Sequence, residues 1–205
     1  ANRRLRMASL AMVFLHAHVA SSPFIQLWLH DDKGMAKADA NALYGVMFVT
    51  FGLAGAVGSG LLTDWAQRRF AMDRALSSLI VLATLIPLIV AYRLLPAGEP
   101  LFLAGMAASV LFMTMLYGPV FTVIEAELPP HLKATATGIN ILALNIAMIG
   151  GLAMAIGVGS EWLAKQGHAD AWTWPLLGAD MVAFFSVGFL WAAYRSGTAV
   201  IPFDH

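Results

Sequence analysis

The chain has 205 residues, 60% of them hydrophobic and 12% charged, and its mean hydropathy is +0.74. Soluble domains carry about 45 to 50% apolar and about 25% charged residues, so a water-dispersed fold of this length has nowhere to put so much apolar surface. Basic and acidic residues balance at twelve each, no basic cluster interleaved with aromatics points to nucleic acid, and the lack of cysteine excludes disulfides, thiolate nucleophiles and cysteine-ligated metals.

Six long apolar segments follow one another, each near the twenty residues that cross a hydrocarbon core of about 30 Å. They predict an all-α integral membrane protein forming one six-helix bundle over residues 1–205, with spans at 7–29, 42–62, 76–95, 101–124, 134–158 and 174–194. A membrane barrel would instead show short alternating segments. The first span follows Arg3, Arg4 and Arg6 directly and is too long for a cleavable signal. Polar loops follow it at His30 to Gly34, the second span at Thr63 to Arg69, and the third at Pro96 to Pro100.

Basic residues concentrate on the cytoplasmic side of membrane helices. Arg3, Arg4, Arg6, Arg68, Arg69, Arg74, Lys133 and Arg195 fall on one side and Lys33, Lys37, Arg93 and Lys165 on the other, which predicts both termini of this segment in the cytoplasm, with a bacterial inner membrane as the expected location. Trp28, Trp162, Trp172 and Trp174 lie near the outer ends, where aromatic rings favour the headgroup layer. In the second span Gly52, Ala56 and Gly60 form a small-residue row at which helices can approach closely.

Polar groups at membrane depth are costly unless paired or wetted, and each is a functional candidate. His16 and His18 stand two residues apart in the first span, about 200° around a helix, and cannot face one cavity. His18 shares a face with Ser22 and Gln26 and is the expected pathway residue; an imidazole there could carry a proton or meet an anionic group. Asn145 is preferred over Asn140 in the fifth span. Asp180, the one carboxylate well inside a span, is expected to find an internal partner near the outer surface, and it joins His18 and Glu125 as a candidate for proton coupling.

At the end of the second span the residues Gly60-Leu61-Leu62-Thr63-Asp64-Trp65-Ala66-Gln67-Arg68-Arg69 resemble the cytoplasmic loop signature of the major facilitator superfamily, Gly-x-Leu-Ala-Asp-Arg-x-Gly-Arg-Arg/Lys. Gly60, Leu62, Asp64, Arg68 and Arg69 match it, whereas Thr63, Trp65 and Gln67 depart. After the fourth span, Glu125 to Ala136 is similar to the family's Glu-x-x-Pro-x-x-x-Arg-Ala-Thr-Ala stretch, with Lys133 in place of the arginine. The resemblance implies the C-terminal six-helix half, helices seven to twelve, of a twelve-helix transporter, with a weaker likeness to its spinster-like and organic-anion branches.

From that resemblance follow the remaining expectations. The partners are the lipid bilayer, an N-terminal six-helix half and a small-molecule substrate. The pathway comprises His18, Ser22, Gln26, Thr114, Tyr117 and Asn145. The cytoplasmic gate comprises Gly60, Asp64, Arg68 and Arg69, with Asp64 just past a helix end and the arginines pairing with it or with Glu125 and Glu127. The implied activity is secondary active transport of a small organic solute by alternating access, proton-coupled through His18, Glu125 or Asp180, with weakly basic or neutral pathway groups suiting an organic anion or amphiphile. A six-helix channel, a homo-oligomeric carrier and a membrane-embedded scaffold or enzyme remain alternatives. Ser21-Ser22 lacks a Gly-x-Ser-x-Gly context and no phosphate cradle or zinc spacing is present, so no catalysis, cofactor or metal is expected.

Overall fold

The computed structural model describes residues 2–115 and 117–196. Among the described residues, six helices long and apolar enough to cross a membrane form the bundle: α1 (Arg3–Asp31), α2 (Lys37–Phe70), α3 (Arg74–Leu94), α4 (Pro100–Ala126, described as Pro100–Met115 and Tyr117–Ala126), α5 (Pro130–Lys165) and α6 (Thr173–Arg195). The chain is an integral membrane protein. Residue 116, inside the predicted fourth span, lies outside the described residues.

Helix ends follow local chemistry. The Asn2 side chain accepts from the Arg4 amide at 2.9 Å and starts α1. Asp73 does the same for α3 through the Ala75 amide at 2.7 Å, and Pro130 occupies the first turn of α5, where its missing N–H costs nothing. At the far end of α5, Gly167 takes a positive φ of 82° and the His168 amide returns to the Leu163 carbonyl, the reversal that glycine permits.

Two helices outrun the predicted spans. Helix α2 holds 34 residues, about 51 Å at 1.5 Å each, against about 30 Å of hydrocarbon. Its last two turns are the stretch expected to be a loop, because nothing between Thr63 and Phe70 breaks a helix. Helix α5 likewise runs for 36 residues. Helix α1 is interrupted at Ser22–Phe24 by a 3₁₀ turn carrying Pro23, and α5 widens to a π-helix over Asn145–Leu152.

Helix α1 lies at the centre, against α6 along its length and against α4 and α5. Over its most apolar stretch 56% of residues are buried, compared with 17% in α2 and 11% in α5, so α2 and α5 each present a long apolar face outward. Helices α2 and α4 meet at Gly52 and Gly55, where a Cβ on Gly55 would stand 2.1 Å from Thr114 Oγ1. The row that packs is therefore Gly52, Gly55, Ser59, Thr63 and Ala66, rotated from the expected Gly52-Ala56-Gly60 line; Gly60 faces open space. Helices α3 and α4 close on Gly105, whose missing side chain leaves room for Tyr92 Cβ and the Leu88 carbonyl.

Candidate functional site

Three charged or titratable side chains from three helices converge inside the bundle. Asp180 stands two turns into α6 and Arg93 one residue from the end of α3, both completely buried, and His18 of α1 is 3% exposed. Arg93 donates from Nε to Asp180 Oδ2 at 2.8 Å and from Nη2 to Oδ1 at 3.4 Å. His18 Nδ1 lies 2.6 Å from Oδ1 of the same carboxylate. A lone buried charge would cost several kcal/mol, and each of these groups is tolerable because the others are present.

Aromatic rings complete the shell. The Arg93 guanidinium carbon sits 4.7 Å from the centre of the Tyr92 ring and 5.0 Å from that of Trp28, close enough for both π faces to attract the cation. On the side away from Asp180, His18 Nε2 faces the Ser109 hydroxyl at 2.8 Å and the Ser109 carbonyl at 3.1 Å, and Tyr92 donates to that hydroxyl at 3.2 Å. Ser21 donates to the His18 carbonyl at 2.6 Å. Helices α1, α3, α4 and α6 are thus joined by one polar network in an otherwise apolar core.

The network reaches the loop between α1 and α2. Lys33 donates to the Arg93 carbonyl at 3.0 Å. Its neighbour Asp32 accepts from the amides of Trp172 and Thr173 and from the Thr173 hydroxyl, at 3.0, 2.7 and 2.8 Å, placing a carboxylate on the positive end of α6. Burial pushes the Asp32 carboxyl above its ordinary pKa, against the opposing pull of those hydrogen bonds. Burial pushes the Lys33 amine down, while Asp170 and Asp32 oppose it.

The other sequence candidates scatter. His16 points to a different neighbour, with Nδ1 3.0 Å from the Met12 carbonyl and Nε2 on the Tyr117 hydroxyl. Ser22 borders the same cavity as His18, whereas Gln26 is exposed and outside it. Thr114 bonds back to the Val110 carbonyl and stands at the α2–α4 contact, opposite Gly52 and Gly55. Asn145 is exposed, bonds to the Ile141 carbonyl and opens the π segment.

The expected gate is built differently. Asp64 lies within α2, not beyond it, and pairs with Arg74 at 2.8 Å. Arg68 and Arg69 are exposed, and among the described residues neither they nor Glu125 enter an ion pair. The contact joining helices at this end is made by Arg4, which meets Asp73 at 2.6 Å and Glu127 at 3.3 Å. The helical continuation to Phe70 carries Arg68 and Arg69 outward and leaves Arg74, at the next helix start, as the cation within reach.

Arg93, Ser109, Tyr92 and Tyr44 were not among the expected site residues. Arg93 counts by position as an outer-loop cation, yet it is buried inside the membrane region. The signal was available: a guanidinium just inside one span and a single deep carboxylate in another need each other.

No protein-family model matches the sequence and no curated protein matches it. The fold nevertheless has a counterpart: six apolar helices in this arrangement share the fold of one half of a solved transporter. A solved structure similar to it over 96% of its length, with a TM-score of 0.75 and 18% identity, is a bacterial homologue of the human lysosomal transporter Spinster in an inward-facing, occupied conformation. The chain spans 50% of that structure.

Proposed function

We propose that this chain acts as one half of a secondary active transporter that moves a small organic solute by alternating access. The observation that carries the reading is the shared fold over nearly the whole chain with half of a solved transporter. In this reading the chain is the C-terminal bundle, its termini face the cytoplasm of a bacterial inner membrane, and the outward faces of α2 and α5 meet an N-terminal six-helix bundle. The network through His18, Arg93, Asp180 and Ser109 keeps the bundle rigid, so that access alternates by rocking of one bundle against the other about a midplane site.

A proton is the proposed coupling ion, held on His18. Arg93 is engaged with Asp180 through its guanidinium, and Glu125 stands apart from the network. Ser22, Tyr117 and Asn145 remain the proposed pathway positions on α1, α4 and α5. The test is solute accumulation in proteoliposomes containing the full-length protein, with and without a proton gradient. Accumulation that vanishes when the gradient collapses is the expected result; undiminished accumulation excludes proton coupling, and absence of flux for every metabolite class that stabilises the purified protein excludes transport.

A further inference from the structure

Beside His18 lies a cavity of about 10 Å³, the room one water needs. Its polar rim is formed by Ser21, Ser22, Tyr44, Tyr92, Ser109 and His18 itself, which offers a water several hydrogen-bond partners. Among these, Ser22 and Tyr44 differ from the rest in being half-buried while the network behind them is sealed. Ser22 Oγ and Tyr44 Oη meet at 2.6 Å, joining α1 to α2 across the cavity's edge, next to exposed Pro23 and Gln26. Ser22 also opens the 3₁₀ turn in α1, where Pro23 donates no hydrogen bond and the helix is locally pliable.

The groups around His18 suit two protonation states with no more than the turn of one hydroxyl. With the ring neutral and its proton on Nδ1, Asp180 accepts that proton's hydrogen bond and the Ser109 hydroxyl donates to Nε2. When a proton arrives from the cavity water onto Nε2, the Ser109 carbonyl at 3.1 Å is in place to accept the new N–H, and the hydroxyl turns away. Among the described residues, the groups that face the ring and its partners are Asp180 on α6, Arg93 and Tyr92 on α3, Ser109 and Phe112 on α4, Tyr44 on α2 and Ser21 on α1. Asp180 and Arg93 offset each other, so among these groups the proton on His18 is the charge that changes.

We propose that the Ser22–Tyr44 contact is a gate over a single-water cavity through which His18 exchanges its proton with the exposed face of the bundle. This rests on the proton-coupling reading, but its test does not use transport. The full-length protein in lipid nanodiscs is incubated in deuterated buffer over a range of pH, and exchange at each imidazole C2 carbon is followed by mass spectrometry. His18 exchange is expected to be slow in the wild-type protein, where the Ser22–Tyr44 contact closes the cavity. Tyr44→Phe is expected to raise its rate about fivefold, the change in an open–closed equilibrium when one hydrogen bond of about 1 kcal/mol is lost. Ser22→Ala removes the same bond from the other side and should match it, with the double variant no faster than either. His16, away from the cavity, should keep its wild-type rate and so reports that the fold is intact. Exchange at His18 that stays at the wild-type rate in both single variants while His16 is unchanged overturns the gate. A gated His18 together with transport indifferent to the proton gradient supports the gate and removes only the coupling.

Discussion

A buried carboxylate in a membrane protein needs an opposite charge beside it, and Arg93 fills that role for Asp180. Asp180→Asn or Arg93→Gln alone leaves one charge unopposed, and each is expected to cost about 3 to 5 kcal/mol of stability. The double variant, neutral throughout, should lose far less than the sum; thermal unfolding in detergent measures both, and simple additivity would mean the pair is not coupled. Asp32 makes a different prediction. Its folded carboxyl holds a proton to higher pH than the unfolded chain does, so its linkage contributes stability below the ordinary carboxylate range that is lost as pH rises through the raised folded value. Asp32→Asn, neutral at every pH, should flatten that part of the stability profile, and an unchanged slope in a pH series of unfolding curves would contradict it.

Among the elements, α3 and α4 approach so closely at Gly105 that a Cβ would lie 2.3 Å from Tyr92 Cβ and 2.5 Å from the Leu88 carbonyl. Backbone cannot step aside cheaply, so Gly105→Ala is expected to destabilise by about 1 to 3 kcal/mol and to disturb Tyr92 and with it the Ser109 hydroxyl. Gly60→Ala meets nothing and should be close to neutral, which makes the pair a controlled comparison by unfolding midpoint. The periodicity of α2 shows why sequence placed the contact one face away. Gly52, Ala56 and Gly60 satisfy a four-residue rule, but Gly52 and Gly55 are the positions opposite Thr114 and Val110, and which stripe packs depends on the partner helix. The end of α2 misled for a related reason, since Thr63 to Phe70 is polar enough to read as loop and contains no residue that stops a helix.

For the whole molecule, a bundle cross-tied from α1 to α3, α4 and α6 should move as a unit. This chain holds no cysteine, so in a full-length background freed of any others, spin labels on cysteines replacing Glu99 and Asp170, beside α4 and α6, should report one distance in every state of the proposed cycle. Two well-separated distances would show that the bundle flexes internally and would remove the rigid-body part of the proposed mechanism. Helices α2 and α5, with most of their apolar faces outside the bundle, are where motion against a second body is expected to be felt.

Apolar length and the scarcity of charge determined by themselves that the chain folds as six membrane helices, because lipid forces every backbone polar group to be satisfied within its own helix. The resemblance at Gly60 to Arg69 and at Glu125 to Ala136 pointed to the same transporter fold that the tertiary comparison shows. Only the tertiary structure decided which polar residues meet. His18, Arg93, Ser109 and Asp180 are scattered over 162 positions of chain, and their convergence depends on the rotation of each helix about its axis. That rotation is set by how side chains interlock between helices, a property of pairs of surfaces that no single segment contains.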